Sequence, residues 1–141
     1  MPTERGGNVY ENLKFSACLY EFMSLLAEET NQPEKTENAY LTTATRYIKA
    51  HYTEDITVDN VSSYIGISRK YLFAIFKNAR NVSPKDYIIN YRIVKAKVFL
   101  KDLSLPIGNV AYSVGYKDPL TFSKMFKLKT GVSPTEYREK Y

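Results

Sequence analysis

Apolar residues recur through most of this chain at helical spacing. Over residues 11–29, Phe15, Leu19, Phe22 and Leu26 fall at steps of four, three and four, and Cys18, Met23 and Leu25 widen the stripe. That spacing predicts an amphipathic helix with one apolar side. Thr30, Asn31, Gln32 and Pro33 break the pattern, and the polar stretch through Asn38 reads as a linker. A second helix is expected over residues 39–51, burying Leu41, Ala44, Tyr47 and Ile48. From there on, start signals punctuate the periodicity: Thr57 before Val58, Ser68 before Arg69, Ser83 before Pro84, Asp118 before Pro119 and Ser133 before Pro134. A Ser, Thr or Asp side chain accepts an amide that the helix start would orphan, and Pro at the first helical position has no amide to orphan. The two runs that could be strands, residues 58–67 and 110–116, lack sustained alternation. The expected fold class is all-α.

Aligned against itself, the region after Thr57 matches at two adjacent offsets. At 49 residues, Asn60, Val61, Ile65 and Gly66 fall on Asn109, Val110, Val114 and Gly115. At 50 residues, Phe76, Lys77, Val82, Ser83, Pro84 and Tyr87 fall on Phe126, Lys127, Val132, Ser133, Pro134 and Tyr137. The second copy therefore carries one extra residue just after its glycine. Each copy has the layout of a helix-turn-helix: a short helix, a glycine that ends it with positive φ, and a longer helix set at a steep angle. Val61, Ile65, Ile67, Leu72 and Ile75 occupy the positions that lock the two helices together, with small Ser62 where they approach. Val110, Ala111, Val114, Tyr116, Phe122 and Met125 serve the second copy. Between the copies, apolar residues from Tyr87 to Leu100 predict one long helix over residues 84–103. At ~1.5 Å per residue it spans roughly 30 Å, near the ~34 Å between successive major grooves on one face of B-DNA. The expected organisation is an arm and linker over residues 1–36 and a paired domain over residues 37–141. Within that domain the first helix-turn-helix covers residues 57–80 and the second residues 106–130.

Charge changes this picture through its location. The chain of 141 residues carries +5, but residues 1–36 hold six acids and three bases, and residues 37–141 nine acids and seventeen bases. An arm of −3 is thus joined to a domain of +8, a surplus that favours phosphate through counterion release when the bases share a face. Candidate chemistry is sparse. Cys18 and His51 are the only residues of their kinds, so no internal disulfide, zinc site or other metal site is expected. No glycine-rich phosphate loop or nucleophile with paired acids supports an enzyme, and no cofactor is expected. Residues 1–7 lead into no apolar signal segment, and no run approaches the ~18 apolar residues of a membrane span. A soluble, cytoplasmic protein with no membrane partner is expected.

The run Gly115-Tyr116-Lys117-Asp118-Pro119-Leu120-Thr121-Phe122-Ser123-Lys124-Met125-Phe126-Lys127, then Thr130-Gly131-Val132-Ser133-Pro134 and Tyr137-Arg138, resembles the signature of the AraC/XylS family of bacterial transcription regulators. The first copy and Tyr91-Arg92-Ile93 with Ala96 fit the same pattern. The resemblance covers residues 37–141 and implies a double-stranded DNA-binding domain of two helix-turn-helix units joined by a long helix. Family members usually add an N-terminal ligand-binding and dimerisation domain, often a small β-barrel, for which this chain has no room, so it looks like a C-terminal fragment or a short member. The arm resembles the helices that pair subunits, which implies a homodimer. RNA polymerase is the further partner implied. The stretch from Pro119 to Lys124 is similar to that of sugar-utilisation regulators.

In a helix-turn-helix, base edges are met by the N-terminal half of the second helix. The outward positions are Ser68, Arg69, Lys70, Phe73, Ala74 and Lys77 in the first unit, and Asp118, Pro119, Leu120, Ser123, Lys124 and Lys127 in the second. Family members often place polar residues or Arg where this chain has Phe73 and Ala74. These two are suited to thymine methyls and Lys70 to a guanine edge, the alternative for Phe73 being a place inside the domain. Lys124, with Ser123 beside it, is the expected base reader of the second unit. Lys77 and Lys127 occupy matching places suited to phosphate. Phe76, Phe126, Tyr87 and Tyr137 are expected in the core, and Arg92 is expected to brace the linker helix against a carboxylate. The competing function is a helical protein-interaction module, which would explain the arm but neither the duplication nor the +8 domain.

Overall fold

The computed structural model describes residues 33–141, and the arm helix expected over residues 11–29 lies outside them. Residues Leu41–Tyr141 pack as one unit. Seven helices and no strand occur among the described residues: α1 (Pro33–His51), α2 (Val58–Ile65), α3 (Arg69–Arg80), α4 (Pro84–Leu100), α5 (Ile107–Ser113), α6 (Pro119–Thr130) and α7 (Pro134–Lys140). Helix α1 begins six residues before its apolar pattern does, inside the stretch expected to be a linker. The residues there include Lys35 and Glu37, good helix formers, and Pro33 suits a first helical position.

Side-chain caps start the helices where the sequence placed them. Thr57 and Asn60 form a reciprocal capping box on α2. Ser83 Oγ accepts the Asp86 amide at 3.1 Å on α4, and Ser133 and Glu136 form a second box on α7. Helix α4 ends at Leu100, short of the expected 103. Asp102 Oδ1 accepts both the amide of Ser104 at 3.0 Å and its hydroxyl at 2.6 Å, a local turn that competes with further helix. Its 17 residues give roughly 25 Å at ~1.5 Å each.

Each copy of the motif builds a helix-turn-helix on α4. In the first, Val61 of α2 and Leu72, Ile75 and Phe76 of α3 are buried, with Ile88 of α4. In the second, Val110, Ala111, Val114, Phe122 and Phe126 cluster with Ile93, Ala96 and Leu100 from the C-terminal half of α4. The duplicated aromatics repeat their geometry. Phe76 meets Tyr87 edge-on at 5.3 Å and Phe126 meets Tyr137 edge-on at 5.5 Å between centroids, a favoured arrangement of ring quadrupoles.

Arg92 does not brace α4 against a carboxylate as expected. Its Nε donates to the Tyr52 carbonyl at 2.9 Å and its Nη2 to the Glu54 carbonyl at 2.7 Å. Both carbonyls lie in the loop that follows α1, and a planar guanidinium can take two of them at once. Arg138 on α7 does the same beyond α4, donating from Nε to Leu100 at 2.8 Å and from Nη2 to Asp102 at 3.1 Å. Each arginine thereby fixes the loop that feeds one helix-turn-helix.

Candidate nucleic-acid interface

The second helix of each unit begins at a side-chain cap. Ser68 Oγ accepts the Tyr71 amide at 3.1 Å at the head of α3. Asp118 makes more bonds at the head of α6, accepting the Leu120 amide at 3.1 Å, the Thr121 amide at 3.3 Å and the Thr121 hydroxyl at 2.8 Å. The Thr121 hydroxyl foremost, and then the Leu120 amide, hold the Asp118 carboxyl below its ordinary value. Both cap side chains are turned onto their own helices.

Register sorts the remaining residues. Leu72, Ile75 and Phe76 are buried on one side of α3, which leaves Arg69, Lys70, Phe73, Ala74 and Lys77 exposed on the other. Phe73 is 48% exposed and lies outside the core, with Lys77 Nζ 6.0 Å from its ring centroid. Between Phe73, Lys70 and the start of α4 at Pro84 and Lys85 runs a cleft of ≈ 540 Å³. Arg69 Nε pairs with Asp59 Oδ1 of α2 at 3.2 Å. On α6, Phe122 and Phe126 are buried, Leu120 is 62% exposed, Lys124 and Lys127 are exposed, and Pro119 and Ser123 are half-buried.

Neither α3 nor α6 contains an acidic residue. Arg69, Lys70, Lys77 and Arg80 lie on the first and Lys124, Lys127 and Lys129 on the second. The apolar faces that hold each helix in place thus turn Lys70 and Lys77 on α3, and Lys124 and Lys127 on α6, to solvent. The extra residue of the second copy falls in its turn. One residue, Ile67, separates Gly66 from its cap Ser68, whereas Tyr116 and Lys117 separate Gly115 from Asp118. Sequence reasoning gave Lys117 no role, yet its Nζ reaches Asp55 Oδ2 at 2.8 Å. Lys129, also unassigned, lies 3.5 Å from Asp86 Oδ1 on α4.

Residues 61–140, more than half of the chain, match the family model described as a helix-turn-helix domain. Over 133 residues the chain is 33% identical to the Msm operon regulatory protein of Streptococcus mutans, covering 94% of this chain and 46% of that protein. The chain belongs to the AraC-type helix-turn-helix family. The AraC-type domain is also 37% identical over 98 residues to the lactose operon transcription activator of Staphylococcus xylosus, covering 70% of this chain and 35% of that protein. Its fold is similar to the C-terminal domain of AraT, a response regulator from Geobacillus stearothermophilus, with a TM-score of 0.70 and 32% identity over 72% of this chain and 85% of that one. The chain spans less than half the length of the two operon regulators. AraC-type domains of this kind are the DNA-binding domains of transcription regulators, and this one is all-helical like them. Among the described residues, no helix is long and apolar enough to cross a membrane.

Proposed function

We propose that residues 37–141 bind a single duplex site in two successive major grooves, with α3 and α6 as the recognition helices, and so regulate transcription at an operator. The observation that carries this reading is that α3 and α6 each turn lysines outward and contain no acidic residue of their own, in an AraC-type domain. In the second unit Lys124, aided by Ser123, reads a base edge, while Pro119 and Leu120 make apolar contact. In the first, Lys70 reads guanine and Phe73 and Ala74 meet thymine methyls, a role for which the exposure of Phe73 leaves it available. Ser68 and Arg69 set the head of α3, and Lys77 and Lys127 hold phosphate. The operon named for the lactose activator of Staphylococcus xylosus supports control of sugar-utilisation genes as an activator, with RNA polymerase as the further partner. Cytoplasmic location, absence of catalysis, independence of cofactors, and homodimerisation through Phe15, Leu19, Phe22 and Leu26 complete the proposal.

The test is selection of bound sites from random duplex DNA, then titration of the winner at several salt concentrations. The expected result is a footprint over two successive major grooves on one face. Affinity should fall steeply with salt, by about 0.9 in log–log slope for each phosphate neutralised. A footprint confined to one turn overturns the two-groove mechanism. Absence of both sequence preference and salt dependence favours the protein-interaction module instead. Light scattering that finds only monomer at high concentration removes the dimer.

A further inference from the structure

Two helix-turn-helix units strung on one helix can be set at the right separation by that helix alone, or by a contact between the units themselves. Here the contact exists. Gly115, in the turn of the second unit, has φ +100°, and a Cβ built on it would lie 2.3 Å from the Tyr52 carbonyl oxygen and 3.0 Å from Arg92 Nε. The turn therefore rests on the loop that feeds the first unit, at a distance only glycine permits. Its counterpart Gly66 has φ +89° and nothing within 4 Å of such a Cβ.

Arg92 is the centre of this contact. Its guanidinium grips the carbonyls of Tyr52 and Glu54 on one side, and its Cζ lies 5.5 Å from the ring centroid of Tyr116 on the other. Tyr116 is the residue after Gly115, and its hydroxyl is buried without a hydrogen-bond partner, so the ring is held there by packing and by the cation. The next residue, Lys117, is the extra one of the second copy and pairs with Asp55 of the same first-unit loop. The insertion that breaks the repeat thus supplies a second tether between the units.

We propose that this junction sets the spacing and angle at which α3 and α6 meet DNA, with Arg92 as its positioning residue and the Lys117–Asp55 pair as an outer tether. The inference rests on the two-groove reading. It predicts that the junction governs tolerance to half-site spacing and leaves the affinity of each unit for its own half-site alone.

The test uses the whole chain and the duplex recovered by selection. It is measured at native spacing, with one base pair inserted or removed between the half-sites, and with either half-site alone. Moving one half-site removes several base contacts, so the unaltered protein should prefer native spacing by about 100-fold. In Arg92→Lys that preference should drop below about tenfold while half-site affinities stay within about twofold. Lys117→Glu, at a solvent-exposed position that folding tolerates, should lower it severalfold. Full spacing preference in both variants overturns the proposal, as does half-site affinity that falls as much as full-site affinity. Unaltered protein indifferent to spacing overturns the two-groove reading, and with it this inference.

Discussion

Gly66 and Gly115 hold the same place in two copies of one motif, and each turns the chain with positive φ. Around Gly66 there is open space, whereas Gly115 lies against main chain and a guanidinium. The first glycine answers only to backbone sterics and the second also to a neighbour. A repeated motif therefore need not repeat its constraints. Once two copies share a chain, one copy's turn can become a surface for the other to rest on.

Substituting the glycines tests that difference at its largest. Gly66→Ala should cost about 1–2 kcal/mol, the penalty of a left-handed conformation for a side chain. Gly115→Ala adds a clash with a carbonyl and should cost more than about 4 kcal/mol, an exceptional value for one methyl. Urea denaturation of both variants settles it, and equal midpoints would erase the distinction between the turns. Next in size, Lys124→Ala should cost about 1–3 kcal/mol and relax base preference at one position. Lys70→Ala should do the same in the other half-site, a pair best read by repeating the selection with each variant. Lys77→Ala and Lys127→Ala should be indistinguishable, each weakening all sequences alike and lowering the salt slope by about 0.9.

The helix caps sharpen the comparison by acidity. Ser68 caps α3 with a hydroxyl, but Asp118 caps α6 with a carboxylate held below its ordinary value by Thr121 and Leu120. A group whose pKa is lowered on folding stabilises the protein above its unfolded value, near 3.8, and loses that contribution as pH falls through the folded value. Asp118→Ala should therefore lower the melting temperature at pH 7 and do so progressively less as the pH falls below 3.8. Ser68→Ala should cost about 1 kcal/mol at either pH.

Much of this was legible because it is local. Caps sit one residue before their helices, and the face of a recognition helix follows from which of its neighbours are apolar, so the outward set from Arg69 to Lys77 could be read directly. The end of α4 was misjudged because the Asp102–Ser104 turn competes with helix through a polar side chain, and apolar spacing does not register it. The helix ends at Asn81 and Gly131 are fifty residues apart and both have positive φ, yet differing residue types hid the match. Arg92 escaped for another reason. Its partners are carbonyls, which every residue carries, so nothing in the composition of residues 52–54 marks them as its targets. Lys117 entered the alignment only as a break in the repeat, and its pairing with Asp55 depends on a contact 62 residues distant.

The two arginine clasps also imply an order of assembly. Arg92 closes onto carbonyls 40 and 38 residues behind it, and Arg138 onto carbonyls 38 and 36 behind. Each clasp needs only chain already made, and closing loops of that length carries a modest entropic cost. On a growing chain the first loop can shut as soon as residue 92 emerges, before α5 has left the ribosome. The later unit is then born onto a finished surface, and its turn at Gly115 has a template waiting for it.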